Sequence, residues 1–148
     1  MSTYTQILYQ IVFSTRNRKK SLTKESREDL YRYIHGILKN KNCHVYRING
    51  VTDHIHIVTH IHPTISLASL VKDIKLATTE YIEFEFLFPG FDGWQDGYGA
   101  FTYSIGAKDN LIEYVKNQEE HHRLKTFREE YIQLLVEHGI EYDEKYLL

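Results

Sequence analysis

Residues 53–61, DHIHIVTHI, decide the fold because histidines and isoleucines alternate in them with the two-residue period of a β-strand. Successive side chains of a strand point to opposite faces, so Ile55 and Ile57 are expected to enter a core. His54 and His56 then project together from the other face. The stretch therefore predicts a strand that presents two imidazole rings side by side.

Outward from this stretch, the spacing of apolar residues predicts strands and helices on both sides. The predicted strands cover residues 4–13, 43–48, 54–61 and 101–105, with Asn49-Gly50 as the turn before the third. The predicted helices begin at Thr23, Ser66, Asp109 and Thr126 and end near residues 40, 81, 118 and 138, and the first three of these starting residues are predicted N-caps.

The order of these elements is typical of a ferredoxin-like or RRM-like α+β fold. Such a fold has a four-stranded antiparallel sheet with helices on one face, and here C-terminal helices are added to it. Residues 1–148 are enough for one domain with a sizeable core. We therefore predict a single domain.

Bulk properties favour a cytoplasmic protein. The chain has no run of about 18 apolar residues, so no membrane-spanning helix is predicted. Its first residues lack the basic and apolar segments of a secretory signal. Cys43 is the only cysteine, which excludes an internal disulfide and suits a reducing compartment.

Charge is distributed unevenly along the chain, although the formal net charge is only −2. Residues 16–47 contain ten Lys and Arg against three acids, whereas residues 109–148 contain ten acids and five bases. A basic segment can hold phosphates on a nearly neutral protein, because counterion release depends on local charge. The candidate nucleic-acid contacts are Arg16, Arg18, Lys19 and Lys20 in the loop after the first strand. A solvated helix face followed by a charged loop is the alternative.

His54 and His56 are candidate metal ligands, because two imidazoles on one face can each offer a nitrogen to the same divalent ion. His60 and His62 repeat the pattern, but they lie too far along the strand for all four rings to share one ion. We favour the first pair, because His62 abuts Pro63, where the strand is expected to end. In the alternative interpretation, all four are polar residues of a half-buried strand.

Tyr114 and Gln118 form a second candidate pair. They lie four positions apart on a predicted helix, which places the phenol and the amide on the same face. The amide oxygen of Gln118 is a hard donor that can complete a magnesium or manganese site with two imidazoles. Tyr114 would then be a nucleophile beside the metal. The alternative is a packing role for this tyrosine.

Three blocks in this order resemble the HUH endonuclease superfamily, specifically the single-tyrosine transposases of small bacterial insertion sequences and their REP-associated relatives. The blocks are Asp53-His54-Ile55-His56, the segment WQDGYGAF from Trp94 to Phe101, and Tyr114-x-x-x-Gln118 followed by Glu120-His121-His122. The basic loop at residues 16–20 also lies where the family carries basic residues.

The resemblance implies that His54, His56 and Gln118 bind Mg²⁺ or Mn²⁺. It implies that Tyr114 attacks a scissile phosphate in single-stranded DNA at the element's ends, leaving a 5′-phosphotyrosine and a free 3′-OH. The DNA is expected to carry imperfect hairpins. The enzyme is expected to be a homodimer, in which the tyrosine helix of one subunit can complete the histidine pair of the other.

Three further residues have candidate roles. Trp94 and Tyr98 could stack on unpaired bases, which contributes about 1–3 kcal/mol for each base; a packed aromatic loop that closes over the sheet is the alternative. A phenol has a pKa near 10, so the nucleophile needs a proton acceptor. His121 and a water molecule are both candidates for it.

Three other functions are compatible with parts of these patterns. A non-catalytic or domesticated hairpin-binding protein would share the fold, but RNA-recognition modules stack bases on sheet aromatics where this chain presents histidines. A replication or relaxase-type HUH nuclease would share the histidine pair and the tyrosine, usually within a longer chain. A structural zinc protein is disfavoured because four Cys and His ligands at the usual spacing are absent from the sequence.

Overall fold

The computed structural model describes residues 2–148, so Met1 of the predicted domain lies outside the described residues. The strands are β1 (Leu8–Ser14), β2 (Val45–Gly50), β3 (His54–His60) and β4 (Gly99–Tyr103). The longer helices are α1 (Lys24–Asn40), α2 (Leu67–Glu85), α3 (Lys108–Lys116), α4 (Gln118–Leu124) and α5 (Phe127–Glu137). The strands form one antiparallel sheet in the order β2-β3-β1-β4, which confirms the predicted fold class.

Different helices cover the two faces of the sheet. On the first face, Ile55 and Ile57 are fully buried in a core with α1 and α2, as predicted, and each contributes roughly 1.5–3 kcal/mol to stability. On the second face, Val12 of β1 packs with Leu134 of α5, and Val58 of β3 packs with α3. The alternative of exposed polar residues on a half-buried strand is therefore wrong for His54 and His56, because the C-terminal helices enclose the second face of β3 as well.

Helix starts follow the predicted caps only in part. The Ser66 hydroxyl accepts a hydrogen bond from the first turn of α2, and Thr126 forms a capping box at the start of α5. Thr23 precedes α1 without a side-chain capping bond, and Asp109 lies inside the first turn of α3 rather than before it. None of the helices described within residues 2–148 is long and apolar enough to cross a membrane.

Strand pairing moves two predicted boundaries. Asn49-Gly50 is not a turn, because β2 stays paired with β3 as far as Gly50 opposite Ile55. The first strand begins at Leu8 instead of residue 4, because its two partner strands reach no further than His60 and Tyr103, which lie opposite Leu8.

Gly50→Ala is expected to destabilise the fold. A Cβ at Gly50 would lie 2.2 Å from the carbonyl oxygen of His54 and 2.9 Å from Cα of Ile55, and backbone atoms of a central strand yield little. We expect a loss of about 1–3 kcal/mol in the free energy of unfolding, measured by urea denaturation.

The matched control is Gly36→Ala in α1, where an added Cβ meets nothing within 4 Å. That change is expected to stabilise the helix by about 0.5–1 kcal/mol, because alanine loses less backbone entropy than glycine. Equal midpoints for both variants would contradict the close approach of β2 and β3 at Gly50.

Candidate active site

His54 and His56 lie side by side on the second face of the sheet. The pairing of β3 with β1 places Ser14 opposite His54 and Val12 opposite His56. Both rings are fully buried, and their centroids are 5.1 Å apart. The His54 ring also stacks on Phe127 of α5 at a centroid distance of 4.0 Å. The histidine pair is therefore enclosed beneath α5.

Hydrogen bonds hold the Nδ1 atoms of both histidines. Nδ1 of His54 lies 2.7 Å from the Asp53 carboxylate, and Nδ1 of His56 lies 2.7 Å from Oε1 of Gln10. Nε2 of Gln10 donates to the Tyr103 hydroxyl at 2.7 Å, which orients the amide. A ring that donates through Nδ1 leaves its Nε2 available to bind a metal. The neighbours of the pair therefore select the tautomer that ligation requires.

The Nε2 atoms meet at Glu130 of α5. One carboxylate oxygen, Oε1, lies 3.3 Å from Nε2 of His54, 3.1 Å from that of His56 and 3.0 Å from that of His122 in α4. Ligand atoms of His54, His122 and Glu130 all lie within 4.8 Å of one another. Imidazole nitrogen and carboxylate oxygen are ordinary ligands of divalent ions, so these residues fit a metal centre.

Tyr114 and Gln118 contact the second oxygen of the same carboxylate. The Tyr114 hydroxyl donates a short hydrogen bond to Oε2 of Glu130, and Nε2 of Gln118 donates to that oxygen at 3.0 Å. The other end of the amide, Oε1 of Gln118, lies 3.3 Å from Nε2 of His54. The predicted tyrosine and glutamine are thus brought to the predicted histidines.

The helix predicted for residues 109–118 is interrupted between these two side chains. α3 ends at Lys116, and α4 begins at Gln118 after Asn117 has left helical geometry with φ −96° and ψ 25°. The relation between Tyr114 and Gln118 therefore depends on a bend in the chain as well as on helical spacing.

Burial and mutual hydrogen bonds set the charges of this centre. Burial alone would raise the pKa of the Glu130 carboxyl, but hydrogen bonds from His122, His54 and His56 hold that pKa well below its usual range. Burial also opposes ionisation of Asp53, yet its hydrogen bond with His54 lowers the pKa of that carboxyl. In turn, burial would lower the pKa of His54, but the two carboxylates raise it. The centre therefore holds one buried carboxylate, Glu130, and one half-buried carboxylate, Asp53, that require positive charge beside them.

The Tyr114 hydroxyl is protonated in this arrangement. Burial raises the pKa of Tyr114 above its usual value, and the adjacent Glu130 carboxylate raises it further. His121, a predicted proton acceptor, stacks on the Tyr114 ring with centroids 4.8 Å apart, while the hydroxyl itself donates to Glu130. The carboxylate is therefore the group in hydrogen-bond reach of the phenolic proton.

Most of this chain matches the model of a known transposase family. The match covers residues 3–118, and the family model is described as "Transposase IS200 like". The chain belongs to the IS200-like transposase family. This membership confirms the resemblance that the three motif blocks indicated. The matched segment ends at Gln118, so most of α4 and all of α5 follow it.

Two solved structures resemble this family member in fold. One, from Deinococcus radiodurans R1 and described as a transposase, is 20% identical with a TM-score of 0.63, and the match covers 80% of this chain and 95% of that one. The other is a REP-associated tyrosine transposase bound to a REP hairpin; it is 15% identical with a TM-score of 0.61, and the match covers 82% of this chain and 74% of that one. No curated protein matches in sequence.

The second histidine pair of this IS200-like transposase lies away from the centre. His60 ends β3, with its Nδ1 3.2 Å from the carbonyl oxygen of Ile7. His62 follows the strand, with its Nδ1 2.7 Å from the Thr64 hydroxyl. Neither contact involves the residues around Glu130, so the structure brings the first pair, and not the second, to the tyrosine.

The basic loop begins next to the histidine pair. The Thr15 amide donates to the carbonyl of Asp53 at 2.9 Å, and the four predicted basic side chains that follow it are exposed. Of these four residues, Lys20 lines a cleft of about 510 Å³, whose walls also include Lys24, Asp53, His122, Arg123 and Lys125. The chain thus has exposed positive charge at the edge of the candidate site.

The aromatic loop packs against the first face of the sheet. Trp94 is only 6% exposed; its ring meets Phe13 edge to face at 5.0 Å, and its Nε1 donates to Thr78 at 2.9 Å. Tyr98 is half-buried against the same core. This corresponds to the alternative of a closed aromatic loop, and in this conformation Trp94 presents no open ring face to a base.

Gln10 and Glu130 were not among the predicted site residues, and His122 belonged to a motif block without an assigned role. Glu130 lies on the buried stripe of α5 between Phe127 and Leu134, and Gln10 is a fully buried amide in an otherwise apolar stretch of β1. A polar residue on a buried face costs stability unless it has partners. That mismatch between residue type and position was the signal available in the sequence.

Proposed function

We propose that this chain is a DNA transposase that cleaves and rejoins single-stranded DNA at the ends of its element through a phosphotyrosine at Tyr114. The convergence of the Tyr114 hydroxyl and the Nε2 atoms of His54 and His56 on the Glu130 carboxylate carries this proposal. Membership of the IS200-like transposase family supports it. Residues 1–148 act as one HUH single-tyrosine transposase domain in this proposal.

His54, His56 and Gln118 are the proposed ligands of Mg²⁺ or Mn²⁺. When bound, the metal supplies Lewis acidity that neutralises charge developing on the scissile phosphate. Asp53 and Gln10 hold the two rings through Nδ1, which keeps each Nε2 directed at the centre. The function of these two neighbours is therefore to orient the ligands.

In the proposed cleavage step, the Tyr114 oxygen forms a bond to phosphorus while the bond from phosphorus to the 3′ oxygen of the adjoining nucleotide breaks. The phenolic proton leaves to an acceptor, and the departing 3′ oxygen takes up a proton to become the free 3′-OH. In rejoining, a 3′-OH attacks the phosphotyrosine and releases the phenol. One phosphodiester replaces another at each step, so no nucleotide cofactor is needed.

The proposed substrate is single-stranded DNA with imperfect hairpins, recognised in the cytoplasm by a homodimer. The relative bound to a REP hairpin supports the class of DNA. The exposed loop residues Arg16, Arg18, Lys19 and Lys20 support phosphate binding near the site. In this homodimer, the tyrosine helix of one subunit completes the histidine pair of the same subunit or of its partner.

Incubation of the full chain with labelled single-stranded DNA from the flanks of its own gene tests this function. With Mn²⁺ or Mg²⁺ we expect a protein–DNA adduct that survives a denaturing gel, and with EDTA we expect no adduct, because the scissile phosphate then lacks its neutralising charge. Metal-independent cleavage would contradict the proposed centre. Tight hairpin binding without an adduct would instead indicate a binding protein of the same fold.

A further inference from the structure

Two donors at the centre come from outside the segment that defines the family. The family match ends at Gln118, whereas His122 lies in α4 and Glu130 in α5. Building on the proposed function, we infer that His122 and Glu130 are additional metal ligands of this chain. With His54, His56 and Gln118 they form a centre of three imidazoles, one carboxylate and one amide oxygen.

The geometry around Glu130 is that of a ligand set. Three Nε2 atoms lie 3.0–3.3 Å from one carboxylate oxygen, and Glu130 itself is only 2% exposed. Removing a carboxylate from water is unfavourable unless positive charge compensates it. The capping box of α5 and the apolar cluster beneath the helix keep this carboxylate in place. A rigid element therefore presents the charge to the three rings.

The hydrogen bonds of His56 indicate that a cation belongs between its ring and the carboxylate. The Gln10 amide nitrogen is committed to the Tyr103 hydroxyl, so the amide oxygen faces Nδ1 of His56 and requires that atom to donate. A neutral ring then directs a lone pair from Nε2 at Glu130, and a lone pair that faces a carboxylate oxygen is repulsive. A metal ion or a proton between the two removes that repulsion.

In the competing account, a proton lies between Nε2 of His56 and the Glu130 carboxylate. Glu130 is then a counter-ion that pairs with charged histidines and competes with the metal. The two accounts predict opposite effects of removing the charge. A ligand that loses its charge weakens metal binding, whereas the loss of a competing counter-ion leaves metal binding unchanged or strengthens it.

The inferred ligand set also predicts which metal the chain prefers. Imidazole suits the later transition metals, whereas Mg²⁺ favours sites built from oxygen ligands and water. Mn²⁺ accepts both donor types, so we expect the full chain to bind Mn²⁺ more tightly than Mg²⁺.

Isothermal titration of the full chain with Mn²⁺ and Mg²⁺, without DNA, tests this inference. Glu130→Gln keeps the shape of the side chain and removes its charge, and it is expected to lower the Mn²⁺ association constant at least about 10-fold, the scale at which even outer partners of a ligand act. Glu137→Gln on the exposed end of α5 removes the same charge from the same helix and is the matched control, expected to bind as the parent does.

The number of bound rings can be counted independently by electron spin-echo spectroscopy of the Mn²⁺ complex. Nitrogen coupling from three imidazoles is expected in the parent and from two in His122→Gln. Thermal unfolding without metal shows whether each variant is folded. If Glu130→Gln is not folded, Glu130→Asp replaces it, because that change keeps the charge and shortens its reach.

The outcomes separate this inference from the function on which it rests. Weaker Mn²⁺ binding in folded Glu130→Gln, together with loss of one nitrogen coupling in His122→Gln, is the expected result. Parent-like or tighter binding in Glu130→Gln overturns the inference and identifies the counter-ion. Absence of metal binding by the parent chain would overturn the proposed metal centre as a whole.

Discussion

Tyr114→Phe is expected to abolish the covalent protein–DNA adduct and to slow strand cleavage by at least about 10⁴-fold, because the substitution removes the attacking oxygen and no other atom. The ring that stacks on His121 is retained, and Oε2 of Glu130 keeps its hydrogen bond from Gln118. The fold should lose only the net contribution of one hydrogen bond, about 0.5–1.5 kcal/mol. Adduct formation on a denaturing gel and hairpin binding by fluorescence anisotropy measure the two effects separately.

Tyr131→Phe is the matched control for this substitution. Tyr131 packs in the apolar cluster of α5 on the same face of the sheet, so its variant also removes one tyrosine hydroxyl from that region. We expect a parent-like yield of adduct from it. An adduct that persists in Tyr114→Phe would mean that another tyrosine is the nucleophile. Tyr103 is the next candidate nucleophile, because Tyr103 and Tyr114 line one cleft of about 330 Å³.

His54→Ala is expected to abolish metal-dependent cleavage and to weaken Mn²⁺ binding by at least about 100-fold, because it removes a ligand rather than one of its outer partners. The ring is fully buried against Phe127, so the variant also creates a cavity, and we expect a lower unfolding midpoint. Titration calorimetry gives the affinity, and circular dichroism without metal shows whether the protein is folded.

His62→Ala distinguishes the two histidine pairs. Its ring contacts Thr64 beyond the end of β3, so the variant is expected to bind Mn²⁺ and form the adduct as the parent does. Loss of both properties in His62→Ala, with both retained in His54→Ala, would assign the metal to the second pair and remove the structural basis for the proposed reaction.

Several features of the fold were predictable because they depend on neighbours in the chain. Alternation along β3 predicts that His54 and His56 share a face whatever surrounds the strand. Ser66 was recognised as a cap for a similar reason, since a capping bond spans only three residues. The turn predicted at Asn49-Gly50 was wrong because strand pairing outweighed the local preference of those residues.

The candidate site was predictable only as far as its motifs extend. The spacing of Tyr114 and Gln118 predicts that they lie together. The break of the helix at Asn117 could not be predicted, because it depends on how α3 and α4 pack against the sheet. Trp94 is of a residue type that stacks on bases, yet in the structure its ring is buried against Phe13. Exposure is a property of the assembled core and not of the residue type.

The sequence by itself determined the order of the four strands along the chain and the family to which the chain belongs. It also determined that two histidines of β3 point to the same face. Only the tertiary structure decided that Glu130 meets them, 74 positions after His56, and that Gln10 and Asp53 hold their rings. The physical reason is that periodicity specifies which face a side chain takes, whereas contact between α5 and β3 depends on how two apolar surfaces pack. No local pattern encodes that packing, so the partners of the histidines appear only in the folded chain.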